Sequence, residues 1–178
     1  MPSNISPRQF GAIHSLLAKQ GGFTVNPATG VAIDEGISVA PGGNELRTPA
    51  ATSNAKTVSD YHGDAGNQEH FSGGAALGGW REKEEGMEWD YLDTPTVHPN
   101  TSEGQVEART GMLKNNQIAA YDLHNMNTLL NPFHAKNQSR EISSSDNSPE
   151  QQEMWRTMPS GQTGGKNIPL KEEGESFS

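Results

Sequence analysis

The sequence predicts an α+β fold: a small antiparallel sheet, two helices packed on it, and an extended, largely irregular C-terminal tail. Three observations carry that reading. In Leu77–Asp93, LGGWREKEEGMEWDYLD, the residues Met87, Trp89 and Tyr91 alternate with Glu88 and Asp90 at the period of a strand. Ser6-Pro7-Arg8-Gln9 joins a capping serine, a proline at the first helical position and a glutamine three residues after the cap. A second serine–glutamine pair, Ser102 and Gln105, opens a stretch that ends in the alternating run QIAAYDL at 117–123. One domain is expected over residues 1–130, with residues 131–178 as a polar tail.

Taken in order, the first helix spans 7–20. Phe10, Ile13 and Leu17 recur at helical spacing, Ile5 sits outside the cap as a partner for Phe10, and Gly21-Gly22 closes the helix. His14 borders the apolar stripe, where a lone histidine reads as a packing or surface residue rather than a ligand. Phe23-Thr24-Val25 is a short strand and Asn26–Gly30 a turn. Ile37 and Val39 then mark a strand at 37–39 that completes a second, looser hairpin. Residues 41–75 are poor in large apolar side chains and read as a long surface loop, with a turn of helix near Thr57–Tyr61.

The central hairpin, 76–92, is expected to form the floor of the core. Ala76–Trp80 is one arm, Met87–Leu92 the other, and the charged run Arg81–Gly86 the loop between them. Leu77, Trp80, Met87, Trp89 and Tyr91 are its core candidates, joined by Tyr121 from the later strand. A helix over 103–114 follows. Its stripe of Val106, Ala108, Met112 and Leu113 is interrupted by Gly104 and Gly111, so packing must hold it. Asn115-Asn116 supplies a left-handed exit, and 118–123 is a strand able to join the same sheet.

From about Met126 the character changes. Leu129, Leu130 and Phe133 form a small apolar knot, and 137–148 is polar and low in complexity. Ser148-Pro149-Glu150-Gln151 repeats the capping pattern, Met154, Trp155 and Met158 follow at helical spacing, and Pro159 stops the run. A Trp/Met-faced helix over 149–158 has the form of a docking segment, and equally that of a helix folding back on its own domain. The knot and the Trp/Met face are the candidate interaction residues.

Composition narrows the function. Apolar residues make up 31% of the 178, below the ~45–50% of ordinary globular chains, so a core of normal size cannot run the whole length. The absence of cysteine excludes disulfides, thiolate zinc sites and cysteine nucleophiles. No apolar run nears the ~18 residues of a membrane span, and no signal-peptide pattern opens the chain. The net charge of −9 is concentrated in residues 61–130, where four basic side chains stand against eleven acidic ones. Such a balance repels phosphate backbones and suits a basic protein partner or a divalent cation better. Glu82, Glu84, Glu85, Glu88 and Asp90 make an acidic face on the hairpin, which is also how a solvated face looks.

Catalytic signatures are missing. The nucleophile elbow, the HExxH zinc motif, the phosphate-cradling P-loop and the dinucleotide-binding glycine pattern do not occur. Tyr61, His62, Asp64 and His70 crowd into the 41–75 loop, where two imidazoles and a carboxylate could serve a transition metal or acid–base chemistry. Their spacing matches no metal-binding rule, and the carboxylates of the hairpin lack EF-hand spacing. No catalytic residue, metal, cofactor or small-molecule ligand is expected.

Three pieces, GGFTVNPATG at 21–30, ALGGW with WDYLD within 76–93, and NNQIAAYDL at 115–123, resemble small proteins of tailed bacteriophages and related mobile elements. In that family a GFTVNPxTG-like turn precedes an LGGW…YLD hairpin, and a helix leads into an NQxAxxDL strand. The resemblance covers roughly residues 20–125 and leaves the tail out. Its motifs are turn glycines and core aromatics, so it implies a phage origin and assigns no catalytic residue. The expected function is a non-enzymatic, virion-associated structural or accessory protein that binds neighbouring subunits through its loop and tail. One alternative is a toxin-like or nucleotide- or RNA-acting effector using His62, His70 and Asp64. Another is an acidic inhibitor of a basic protein in the host cytoplasm.

Overall fold

The computed structural model describes residues 4–134. Over them the chain is α+β, with four helices and two antiparallel four-stranded sheets. The elements in chain order are α1 (Pro7–Gln20), β1 (Gly22–Val25), β2 (Ile37–Val39), β3 (Leu46–Pro49), α2 (Ala55–Gly63) and α3 (Ala65–Ser72). After them come β4 (Leu77–Glu84), β5 (Met87–Asp93), β6 (Thr96–His98), α4 (Ser102–Lys114), β7 (Ala119–Asp122) and β8 (Asn127–Leu130). Two compact units result, residues 4–34 with 41–96, and residues 35–40 with 97–134. The one sheet expected over residues 1–130 is therefore two. The 37–39 strand does not close on 23–25, which pairs with β4 and meets the following segment in a single bridge, Val25 to Ala32; it pairs with β7 instead.

In the first unit the sheet order is β1-β4-β5-β3. The N-terminal helix forms as its cap pattern dictates: the Ser6 hydroxyl accepts from the Gln9 amide at 3.2 Å, and the Gln9 side chain accepts from the Ser6 amide at 2.8 Å. Gly21, at φ +80°, closes it in the left-handed conformation. Strand β4 runs on to Glu84, which pairs with Met87, so the turn is only Glu85 and Gly86, at φ +50° and +82°. Positive φ at both central residues is what a two-residue turn matched to strand twist requires. Most of the charged run expected as a loop is thus strand.

The 41–75 stretch is likewise more ordered than its composition predicts. The Asn54 side chain accepts from the amides of Lys56 and Thr57, and the Thr57 hydroxyl accepts from the Asn54 amide, which starts α2. Val58 and Tyr61, three apart, are both buried, and that is enough apolar surface to dock a two-turn helix. Asp64 then caps α3 through the amides of Gly66 and Asn67.

The core of this unit lies on one face of the hairpin, and it is not the aromatic one. Phe10, Ile13 and Leu17 of α1 and Val58 and Tyr61 of α2 pack with Phe23, Val25, Leu77 and Leu92. Register puts Phe23 beside Gly79 and Gly79 beside Leu92. A Cβ on Gly79 would stand 2.6 Å from the Phe23 ring, so the phenylalanine fills the place a side chain would take. Trp80, Trp89 and Tyr91 lie on the opposite face, where Tyr91 is buried as expected at 7% exposure, Trp80 and Trp89 are partly buried, and Met87 is 47% exposed. The hairpin is the floor of the core through Leu77 and Leu92, with Asp90 between the helices and the sheet.

In the second unit the order is β6-β2-β7-β8, and α4 packs Ala108 and Met112 against Ile37, Val39, Ala120 and Leu129. Thr101, one residue before the serine expected to cap α4, accepts from the Gly104 amide at 3.1 Å. Asn116, at φ +50°, makes the left-handed exit. The 118–123 strand joins β2 and β8 rather than the hairpin, which leaves Tyr121 on the outer side at 37% exposure instead of in the core. Leu129 and Leu130 are buried in β8, and Leu129 and Phe133 pack with the α4 cluster.

Candidate functional site

The outer face of the first sheet gathers the side chains best suited to recognition. Across the strands, Trp80 of β4, Tyr91 of β5 and Arg47 of β3 stand in one row. Glu82, Trp89 and Pro49 stand in the next, and Glu84 and Met87 in the one after. The Trp80 and Tyr91 rings stack at 4.9 Å and 1° between planes. The Arg47 guanidinium lies 3.6 Å from the centre of the Trp89 ring and donates to the Tyr91 hydroxyl at 3.0 Å and to Glu84 at 3.0 Å. Tyr91 in turn donates to Glu84. Burial, followed by the Glu84 carboxylate, raises the Tyr91 hydroxyl above the ordinary tyrosine range. The result is an aromatic strip braced by one arginine, with Tyr91 buried at its centre, Trp80 and Trp89 partly exposed and Met87 exposed at its end, bordered by Glu82, Glu84 and Glu85.

The acidic face expected on the hairpin is split by the pleat. Glu82 and Glu84 share the aromatic side, whereas Glu88 and Asp90 point the other way. Asp90 is fully buried. Arg81 grips it with two bonds, at 2.7 and 3.0 Å, and the Ser53 hydroxyl donates to it as well. Burial pushes the Asp90 carboxyl up, but the Arg81 and Ser53 bonds and the nearby His14 outweigh this and hold it below the ordinary carboxylate range.

His14, Ser53, Asp90 and Arg81 come from four separate segments and meet on the core side of this sheet. No spacing rule could have found them. The His14 Nε2 is 3.0 Å from the Ser53 hydroxyl and 3.7 Å from Asp90. In a nucleophile triad the serine and the carboxylate engage opposite nitrogens of the imidazole. Here both face the same nitrogen, and the carboxylate is already held by the arginine. The cluster ties α1 and the segment before α2 to β5, and its chemistry is that of a buried ion pair.

The loop residues that suggested metal or acid–base chemistry are dispersed. Tyr61 is in the core and its hydroxyl donates to the Asn44 carbonyl at 2.8 Å. His62 is buried between Phe10 and Phe71, with Nε2 2.7 Å from the Pro27 carbonyl. Asp64 caps α3, and His70 is exposed. Among the described residues no three His, Asp or Glu side chains are grouped to hold a metal ion, and no helix is long and apolar enough to cross a membrane. Met154, Trp155 and Met158, with the docking helix over 149–158, lie outside the described residues. Comparison of the chain with protein-family models, with curated proteins and with solved structures finds no match.

Proposed function

We propose that the chain is a non-enzymatic protein-binding component, of the virion-associated kind its phage resemblance implies, and that it docks neighbouring subunits through the outer face of the first sheet. The observation that carries this is the strip of Trp80, Tyr91, Arg47 and Trp89 leading to exposed Met87. Tryptophan, tyrosine and arginine are the residues that dominate binding energy at protein interfaces, and methionine is enriched there. The strip is held in place before any partner arrives, so little side-chain freedom remains to be lost on docking. Its border of Glu82, Glu84 and Glu85 favours a partner that sets basic side chains around an apolar centre.

An effector enzyme working through His62 and Asp64 has less support, since both side chains are engaged in packing and capping. Cross-linking and mass spectrometry of particles from the native source test the proposal. Carbodiimide cross-links from Glu82, on the aromatic side of β4, to another particle protein are expected. Their loss in a Met87→Asp, Trp89→Ala variant that still folds would place the contact on this face. Particles that lack the chain altogether would remove the virion reading.

A further inference from the structure

Strand β5 ends at Asp93, whose side chain is 5% exposed. It lies over Gly78, its register partner on β4, where a Cβ would stand only 2.3 Å from Asp93 Oδ1 and 3.0 Å from the Pro95 ring. On the other side β3 pairs with β5 as far as Leu46 and Leu92, so Glu45 falls opposite Asp93 at the next place. Like charges directly opposite across strands oppose pairing. Among the described residues no Lys, Arg or His stands within ion-pair distance of Asp93.

The donors around it are engaged elsewhere. Tyr61 of α2 donates to the Asn44 carbonyl, and Asn44 Nδ2 donates to Thr94 at 2.6 Å and to Asn67 at 3.2 Å. Asn67 Nδ2 donates to the Tyr61 carbonyl at 2.8 Å. Asn44 Oδ1 is left buried without a partner among the described residues. Asp64, the other carboxylate whose field reaches Tyr61, is held by the amides of α3.

We propose that Asp93 is a proton switch of the first unit. As a neutral carboxyl it lets the ends of β3, β5 and β4 close together, and on ionising it sets a buried negative charge opposite Glu45, with no cation of the described residues on Asp93 itself, and loosens that end. Burial first, and the Glu45 charge second, push the Asp93 carboxyl up to about 7 from its ordinary 3.8. Because the folded value lies above the unfolded one, the stabilising effect of the proton is full below the unfolded value. It is lost as pH rises through the folded value. The switch rests on the surroundings of this carboxyl and not on the proposed partner.

Carboxyl-carbon NMR titration of the full chain tests it. Asp93 is expected to titrate near neutrality, and Glu45→Gln to shift its midpoint to lower pH. The denaturation midpoint of the wild type should fall between about pH 4 and pH 7 on account of Asp93, and that fall should vanish in Asp93→Asn. A wild-type Asp93 titrating in the ordinary carboxylate range near 4 would overturn the proposal. So would an Asp93→Asn variant whose stability falls with pH as steeply as the wild type. If that variant fails to fold, the wild-type titration alone decides.

Discussion

On its inner face the central hairpin carries Leu77, Leu92 and a buried carboxylate; on its outer face it carries Trp80, Trp89 and Tyr91. The inner face has the smaller side chains and yet holds the fold. Phe10, Ile13, Leu17 and Val58 arrive on that side from two helices, and Phe23 crosses Gly79 to meet them. The outer face has the larger side chains, which pack on one another, ring on ring and arginine on ring. Aromatic bulk therefore does not choose the buried face of a strand. What the neighbouring elements can reach does.

Substitutions should separate the two faces. The largest expected effect is at Asp90: truncation to alanine leaves Arg81 beside the core without its partner and should cost about 3–5 kcal/mol, read by chemical denaturation. Gly79→Ala drives a methyl into the Phe23 ring and toward Leu92 and should cost about 1–3 kcal/mol. On the outer side, Met87→Ala should change stability by no more than about 0.5 kcal/mol, because the side chain is nearly half exposed, while weakening partner capture.

The same strand also sets two aspartates against each other in pH. Asp90 has a folded value below the unfolded one, so its contribution is full above the unfolded value and lost as pH falls through the folded value. Asp93 runs the other way, losing its contribution on the approach to neutrality. A stability profile that rises out of acid and then declines toward pH 7 is expected. Asp93→Asn should remove only the decline.

The legible parts of the chain were those where a local rule acts alone. The capping box at Ser6, the turn at Asn26–Gly30 and the left-handed exit at Asn116 all depend on residues within a few positions of each other. The period of Met87, Trp89 and Tyr91 correctly put them on one face, but period two cannot say which face is inside. Strands 37–39 and 118–123 were both visible while their pairing was not, since it joins residues some eighty positions apart. Only a turn of helix near Thr57–Tyr61 is legible where α2 forms, because two apolar residues and an asparagine cap are a faint signal. The His14–Ser53–Asp90–Arg81 cluster left none, because each member comes from a different segment.

Denaturation of Leu92→Ala and Trp89→Ala, measured side by side with the wild type, bears most directly on the division between the two faces. Loss of Leu92 should cost about 3 kcal/mol and loss of Trp89 about 1, although tryptophan is much the larger residue. Equal costs, or a greater loss at Trp89, would mean that the aromatic side is the true core and would contradict this account.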